Sequence, residues 1–251
     1  MRGMTNAVKH LLIINVIMFI GTMVVGGGNG ELFYKWFALY FPKNELFQPW
    51  QIITHMFMHG GFAHILFNMF ALWMFGTAVE LQLGSKNFLF IYFSAGLGAV
   101  LFQLGYYYFN YIPIHAELIG SGLTSDQITQ MLTSNQALNG INEAQFLNLK
   151  KMFPIFNASM VGASGCIMGI LAAFGMMNPD AKLMLIFLPI PIKAKYFIPG
   201  IIILDIISAL TGQSFFSPSN TAYMAHVGGA LTGFFIMWYW KKNQFNQNRW
   251  Y

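Results

Sequence analysis

Charge is nearly missing from this chain: only 8% of its 251 residues are Asp, Glu, Lys or Arg, against 56% that are apolar. A typical soluble domain carries roughly 25% charged residues, so a water-soluble globular fold is excluded and an integral membrane protein is implied. Cysteine is also scarce. Cys166 stands alone, which rules out an internal disulfide in any compartment and leaves it as a small packing residue. The sequence lacks the ten-residue polar/apolar alternation of a membrane barrel and shows no internal repeat, so backbone groups in lipid must be satisfied within α-helices. The 13 Lys and Arg residues give a net charge of +5, yet they flank apolar stretches and form no patch. They read as a topology signal and an anionic-lipid contact, and no nucleic-acid partner is expected.

What is present is apolar sequence in long blocks. Six stretches are long enough to cross about 30 Å of hydrocarbon at about 1.5 Å per residue: approximately Val8 to Gly27, Phe62 to Val79, Asn87 to Phe109, Val161 to Met177, Tyr196 to Gly212 and Thr221 to Trp240. The fold class is therefore all-α, a polytopic membrane protein of six transmembrane helices packed as one bundle. Nine basic residues (Arg2, Lys9, Lys86, Lys182, Lys193, Lys195, Lys241, Lys242, Arg249) fall on one side and four (Lys35, Lys43, Lys150, Lys151) on the other, which puts both termini in the cytoplasm. Arg2 and Lys9 before an apolar run resemble a secretory signal, but five further spans argue for an uncleaved first helix.

The first outer connection, Gly28 to Gly60, carries Phe33, Tyr34, Trp36, Phe37 and Trp50, as expected of a segment lying partly in the membrane interface. The third, about residues 110–154, is a polar outer-side insertion. A capping box at Thr124 to Gln127 precedes Ile128, Met131 and Leu132 and predicts a small helical excursion. Pro179, Pro189 and Pro191 around Leu183 to Leu188 predict an extended segment before the fifth helix.

The second, fourth and sixth spans all run from outside to inside under this topology, so His64, Ser164 and His226, each early in its span, lie at similar depth. Gly162-Ala163-Ser164-Gly165 opens a helix, giving Ser164 small neighbours and backbone N–H groups unused within the helix. Such donors can hold an oxyanion, although GASG alone also suits close helix packing. Ala225-His226 is followed by Gly229-x-x-x-Gly233, and the fourth span carries Gly165-x-x-x-Gly169, so both helices have small faces that permit near contact. A membrane His can equally be a proton relay or a partner for a carbonyl. His64 and Asn68, four apart, share a helical face; they can complete an oxyanion site or tie down the loop above. His55-x-x-x-His59-x-x-x-x-His64 lacks the Glu of a His-Glu-x-x-His zinc helix, so no metal is expected.

His64-Ile-Leu-Phe-Asn68, Gly162-Ala-Ser164-Gly165 and Ala225-His226-x-x-Gly229-x-x-x-Gly233, in this order on spans two, four and six, resemble a rhomboid intramembrane serine protease over roughly residues 8–240. The resemblance implies one rhomboid-like membrane domain over residues 1–251, with the insertion at about 110–154. It implies Ser164 as nucleophile, His226 as general base, and His64, Asn68 and the Ser164 backbone N–H as oxyanion hole, a Ser-His dyad without cofactor or metal. It further implies single-span membrane-protein substrates that enter from the lipid bilayer past the fifth helix and are cut near their outer end, a cap at Gly212 to Asn220, and residence in the cell (inner) membrane.

Three departures from the family pattern stand out. Gln51 follows Trp50 where many members have Arg, so anchoring by that Arg is absent. Met168 replaces an aromatic ring that stacks on the imidazole in well-known relatives. The long third connection has no counterpart in the most compact members. Asp205 is the only carboxylate within a span and invites a Ser-His-Asp triad, but because the family pattern supplies no third member it reads as a hydrogen-bonded or partly protonated structural Asp. Activity is expected to fall in acid, since the base must be uncharged. Two other classes share the features: a noncatalytic rhomboid-like protein that binds membrane helices, and a proton-coupled transporter using Asp205 and His226, which the lack of repeat symmetry disfavours.

Overall fold

The computed structural model describes residues 3–25, 30–185, 188–214 and 222–247. Helix α1 (Asn6–Val24) is followed on the outer side by α2 (Glu31–Phe37), a two-residue strand β1 (Leu39–Tyr40), and α3 (Gln51–Thr54) with a 3₁₀ turn at His55–Phe57. Helix α4 (Phe62–Ala71) runs through a π-turn, Leu72–Gly76, into α5 (Thr77–Gly120). The insertion follows as α6 (Ser125–Ser134) and α7 (Glu143–Phe156). A strand β2 (Ser159–Met160) leads into α8 (Ser164–Met177). The hairpin β3 (Lys182–Leu185) and β4 (Leu188–Lys193) then precedes α9 (Ala194–Thr211) and α10 (Tyr223–Gln247).

The all-α polytopic expectation holds, and among the described residues α1, α4 with the π-turn, α5, α8, α9 and α10 cover most of the six apolar stretches. Among the described residues, Asn6–Val24, Phe62–Gly120 and Ala194–Thr211 are long and apolar enough to cross a membrane. The second of these is a hairpin rather than a rod. Gly84 takes φ 78° and ψ 159°, a backbone open to glycine and costly for other residues, and the Phe88 ring folds back to within 3.4 Å of where a Cβ on Gly76 would stand. Just before the bend, the buried Glu80 accepts the Ala7 and Val8 backbone N–H groups at 2.9 Å each. A carboxylate there satisfies two unpaired donors of the α1 N-terminus and complements the positive end of its dipole. It is a second buried carboxylate, one position past the expected end of its span.

Residues 85–120 of α5 rise about 54 Å at 1.5 Å per residue, well beyond a hydrocarbon layer of about 30 Å. On the projecting turns, α6 and α7 build a small apolar core around Tyr111, Leu118, Ile128, Met131, Leu132, Leu149, Met152 and Phe156. The capping box at Thr124 is present, with Gln127 N–H donating to the threonine hydroxyl and the Gln127 side chain accepting from Thr124 N–H; Asn142 and Gln145 form a second. The insertion is tied to the first outer connection. Phe41 is buried in its core, Asn44 Nδ2 donates to the Phe156 carbonyl at 2.9 Å, and β1 pairs with β2.

The Arg of the family pattern is absent at position 51, and Gln51 does the anchoring in its place. Gln51 is fully buried; its amide donates to the carbonyls of Lys35 and Leu46, and its oxygen accepts from the N–H groups of Gln48 and Tyr40. A neutral amide with donors and an acceptor pins both strands of the loop, a task that needs no charge.

At the centre, α8 is buried on every side from Gly165 to Ala173. A Cβ on Gly229 would overlap the Gly165 carbonyl, and one on Gly233 would overlap that of Gly169. The two small-residue faces therefore meet each other, with α8 and α10 parallel and in backbone contact. On the opposite face, Gly165 lies against Ala99 and Gly169 against Ala95 of α5.

Gly229→Ala should force α8 and α10 apart and cost about 1–3 kcal/mol by overpacking, seen as a lower thermal midpoint in detergent. Gly105→Ala, on α5 with open space around the new methyl, should instead raise the midpoint slightly, because alanine favours helix over glycine by about 0.5–1 kcal/mol.

Candidate active site

The chain enters α8 through Gly162, whose φ of 130° and whose N–H bond of 2.9 Å to the His55 carbonyl turn the backbone so that Ser164 is the first helical residue. His55 is held in turn, with its Nδ1 2.8 Å from the Gln51 carbonyl. The anchored outer loop thus fixes the residue two before the serine. The Ser164 N–H belongs to the first turn of α8, where backbone donors have no helical partner.

From α10, His226 places Nε2 2.9 Å from Ser164 Oγ. Its Nδ1 lies 3.0 Å from Asp205 Oδ2 of α9. The side chains of His226 and Asp205 are 12% and 3% exposed, so this line of three groups is largely withdrawn from water. The hydrogen bond expected of Asp205 goes to the imidazole of His226.

From α4, His64 approaches from the loop side. A Cβ on Gly162 would stand 2.9 Å from His64 Nε2 and 3.6 Å from Ser164 Oγ, which puts imidazole and hydroxyl on either side of one glycine. The Gly60 N–H donates to His64 Nδ1 at 3.3 Å. With Nδ1 an acceptor, the proton of the neutral ring is on Nε2, the nitrogen facing Gly162. Asn68 is one turn further along α4 and buried, and its Nδ2 has no hydrogen-bond partner. A buried donor left unpaired costs about 1–3 kcal/mol, so a free amide at this place asks for an acceptor supplied from outside.

His59, also buried, packs edge-on against His64 at 5.0 Å between ring centres, with both of its nitrogens unpaired. Burial pushes His55 down to about 4, and burial together with the nearby His64 pushes His59 down to about 3. Neither ring is charged near neutral pH. Among the described residues no cluster of three His, Cys, Asp or Glu could hold a metal ion. Met168 fills the position one turn after Ser164 and is 6% exposed.

Of the residues singled out from sequence, Ser164 and His226 meet directly, His64 comes beside them across Gly162, and Asn68 lies one helical turn away on the same helix as His64. On sequence grounds Asp205 is disfavoured as a third member beside Ser164 and His226, yet the structure puts it in contact with His226. Its signal was depth, since Asp205 precedes the α9 end at Thr211 by less than two turns and His226 is early in α10. Residues 215–221, which hold most of the expected cap, lie outside the described residues.

A hydroxyl, an imidazole and an unpaired amide gather at one end of the helical bundle of a polytopic membrane protein. The chain belongs to the rhomboid family: the Rhomboid domain matches residues 46–243. It is similar to "Rhomboid protein 1, mitochondrial" of Saccharomyces cerevisiae, at 29% identity over 192 residues covering 76% of this chain and 42% of that protein. It is also similar to "Rhomboid protease GluP" of Bacillus subtilis, at 50% identity over 88 residues covering 34% and 17%. "Rhomboid protease GlpG" of Salmonella choleraesuis is 35% identical over 81 residues covering 32% and 28%. In each case the match spans less than half the length of the relative.

The buried rings make stability fall in acid. Each folded-state value lies below the 6.5 of an exposed His, so between pH 6.5 and about 4 the unfolded chain takes up protons that the folded one refuses, at up to about 1.4 kcal/mol per pH unit per ring. Thermal midpoints in detergent should drop from pH 6.5 to 5, and His59→Gln should flatten that drop.

Proposed function

We propose that this chain is an intramembrane serine endopeptidase in which Ser164 is the nucleophile and His226 the general base. The observation that carries the reading is the 2.9 Å approach of Ser164 Oγ to His226 Nε2, from helices 62 residues apart in sequence. The unpaired Asn68 amide supports it, as do relatives named rhomboid proteases.

In this mechanism Ser164 Oγ attacks a peptide carbonyl while its proton passes to Nε2 of neutral His226. Charge develops on the carbonyl oxygen, and His64 Nε2–H, Asn68 Nδ2–H and the Ser164 backbone N–H are the donors proposed to meet it. Such donors act strongly where water is sparse. Collapse breaks the C–N bond as His226 returns its proton to the leaving amine, and water then resolves the acyl-enzyme by the same steps in reverse order. No cofactor or metal enters the scheme.

The substrates proposed are single-span membrane proteins cut near their outer end, within segments that unwind readily because they hold small or helix-breaking residues. Helix α9 is the proposed entry side. In its apolar window only 22% of residues are buried. The cell (inner) membrane with both termini cytoplasmic, as the nine-to-four split of basic residues suggests, completes the reading.

A serine-directed fluorophosphonate probe should label the wild type in detergent and leave Ser164→Ala unlabelled, and His226→Ala should cut labelling and cleavage of a reconstituted single-span substrate by roughly 10³-fold or more. Asn68→Ala should lower cleavage about 10²–10³-fold while Ser164 still labels slowly. An unlabelled wild type that nonetheless binds membrane helices, or conducts protons, would sink the proposal.

A further inference from the structure

We infer that Asp205 is a positioning residue of the hydrolytic site: its carboxylate holds His226 in the tautomer that leaves Nε2 free to take the Ser164 proton. The inference rests on the reading of Ser164 and His226 as nucleophile and base, and extends the dyad to a line of three groups.

The geometry is Asp205 Oδ2 to His226 Nδ1 at 3.0 Å, then His226 Nε2 to Ser164 Oγ at 2.9 Å. A neutral imidazole carries one N–H and one lone pair, so the two contacts fix each other. If the carboxylate accepts from Nδ1–H, the lone pair on Nε2 faces the hydroxyl, and Ser164 can donate to it. If Asp205 were protonated and donated to Nδ1, the ring proton would be on Nε2, directed at an oxygen it must deprotonate. Only the first arrangement arms the serine from the resting state.

A second consequence concerns charge. When Ser164 attacks, His226 becomes imidazolium in a pocket where its own side chain is 12% exposed. A positive charge in such surroundings is expensive unless a negative group is in contact, and Asp205, 3% exposed and on a different helix, is placed to supply it. The remaining neighbours do not. Ser164 of α8 is neutral, His64 of α4 is another ring across Gly162, and Gln103 of α5 spends its oxygen on the Ala225 N–H at 3.1 Å.

A structural role is the competing account, since the same hydrogen bond joins α9 to α10. The two differ in kinetics. A brace would cost folded protein; a positioning carboxylate costs turnover in protein that is fully folded. The full chain in detergent is therefore compared as wild type, Asp205→Asn, Asp205→Glu and Ser164→Ala, measuring kcat and KM on a single-span substrate, the rate of fluorophosphonate labelling, and thermal midpoint. Protein with ¹⁵N-labelled histidine reports the His226 tautomer.

Asp205→Asn is expected to lower kcat and labelling rate about 100-fold or more with KM changed by less than about threefold, and to remove the Nδ1–H tautomer signal. Asp205→Glu, which keeps the charge, is expected to recover part of the kcat lost in the Asn variant. The inference is overturned if Asp205→Asn cleaves and labels at the wild-type rate, or if its loss merely tracks a lowered fraction of folded protein. Cleavage surviving in Ser164→Ala would instead refute the nucleophile assignment, so the two failures are distinguishable.

Discussion

The contact on which the rest depends is backbone against backbone, Gly165 on Gly229 and Gly169 on Gly233. Lipid tails are as apolar as leucine, so helices inside a membrane gain little by hiding apolar side chains from it and associate through close packing and hydrogen bonds. Two parallel helices in register at these glycines have little freedom left. Ser164 immediately precedes Gly165, and His226 stands one turn before Gly229, so the register that brings the glycines together also sets hydroxyl and imidazole at 2.9 Å. The approach of hydroxyl and imidazole is a by-product of the packing, while the loop sets the entry into α8 through the His55 carbonyl on Gly162. Ala95 and Ala99 on the other face of α8 prevent the helix from backing away.

Outside that seam a connected set of polar contacts ties the outer loop to the entry of α8. Gln51 meets four backbone groups, His55 links it to Gly162, and the insertion braces the same loop through Phe41, Asn44 and the β1–β2 pair. Against this background the orphaned Asn68 amide is conspicuous. A buried donor left open one turn from His64 carries a standing cost, as do the two unpaired nitrogens of buried His59, and such costs tend to persist where function requires them.

Much of this was legible in sequence because membrane helices declare themselves by length and apolarity, and because small residues four apart mark the faces that touch. Depth along a helix could be read as well, which is why Ser164, His226 and His64 were grouped. Azimuth could not. Whether Asp205 faced lipid, a loop or the imidazole depended on the rotation of α9, and α9 has no glycine seam to fix it. At position 51 the sequence shows that the family's Arg is absent but not what takes its place: the carbonyls of Lys35 and Leu46 and the amides of Gln48 and Tyr40 need one group that both donates and accepts, which Gln supplies and Arg cannot. The end of α5 differs from the expected Phe109 as well, because the polar composition beyond it reads as a connection where packing by α6 and α7 carries the helix on to Gly120.

Helix α9 brings two demands into conflict. Its buried row is sparse, Ala194, Ile198, Asp205 and Ser208, while Ile203 and Leu210 are 56% and 79% exposed. Near its outer end it is held by two polar ties, Asp205 to His226 and the Tyr106 hydroxyl to the Ala209 carbonyl at 3.1 Å. Interhelical hydrogen bonds in membranes contribute only about 0.6–2 kcal/mol each, so these two ties hold α9 lightly. If α9 is the entry side proposed above, swinging it outward as a rigid rod would carry Asp205 off the imidazole it is proposed to position. The two proposed roles are compatible if the movement is confined to the turns beyond Asp205, where breaking the Tyr106 tie frees the last residues of the helix and leaves the carboxylate in place.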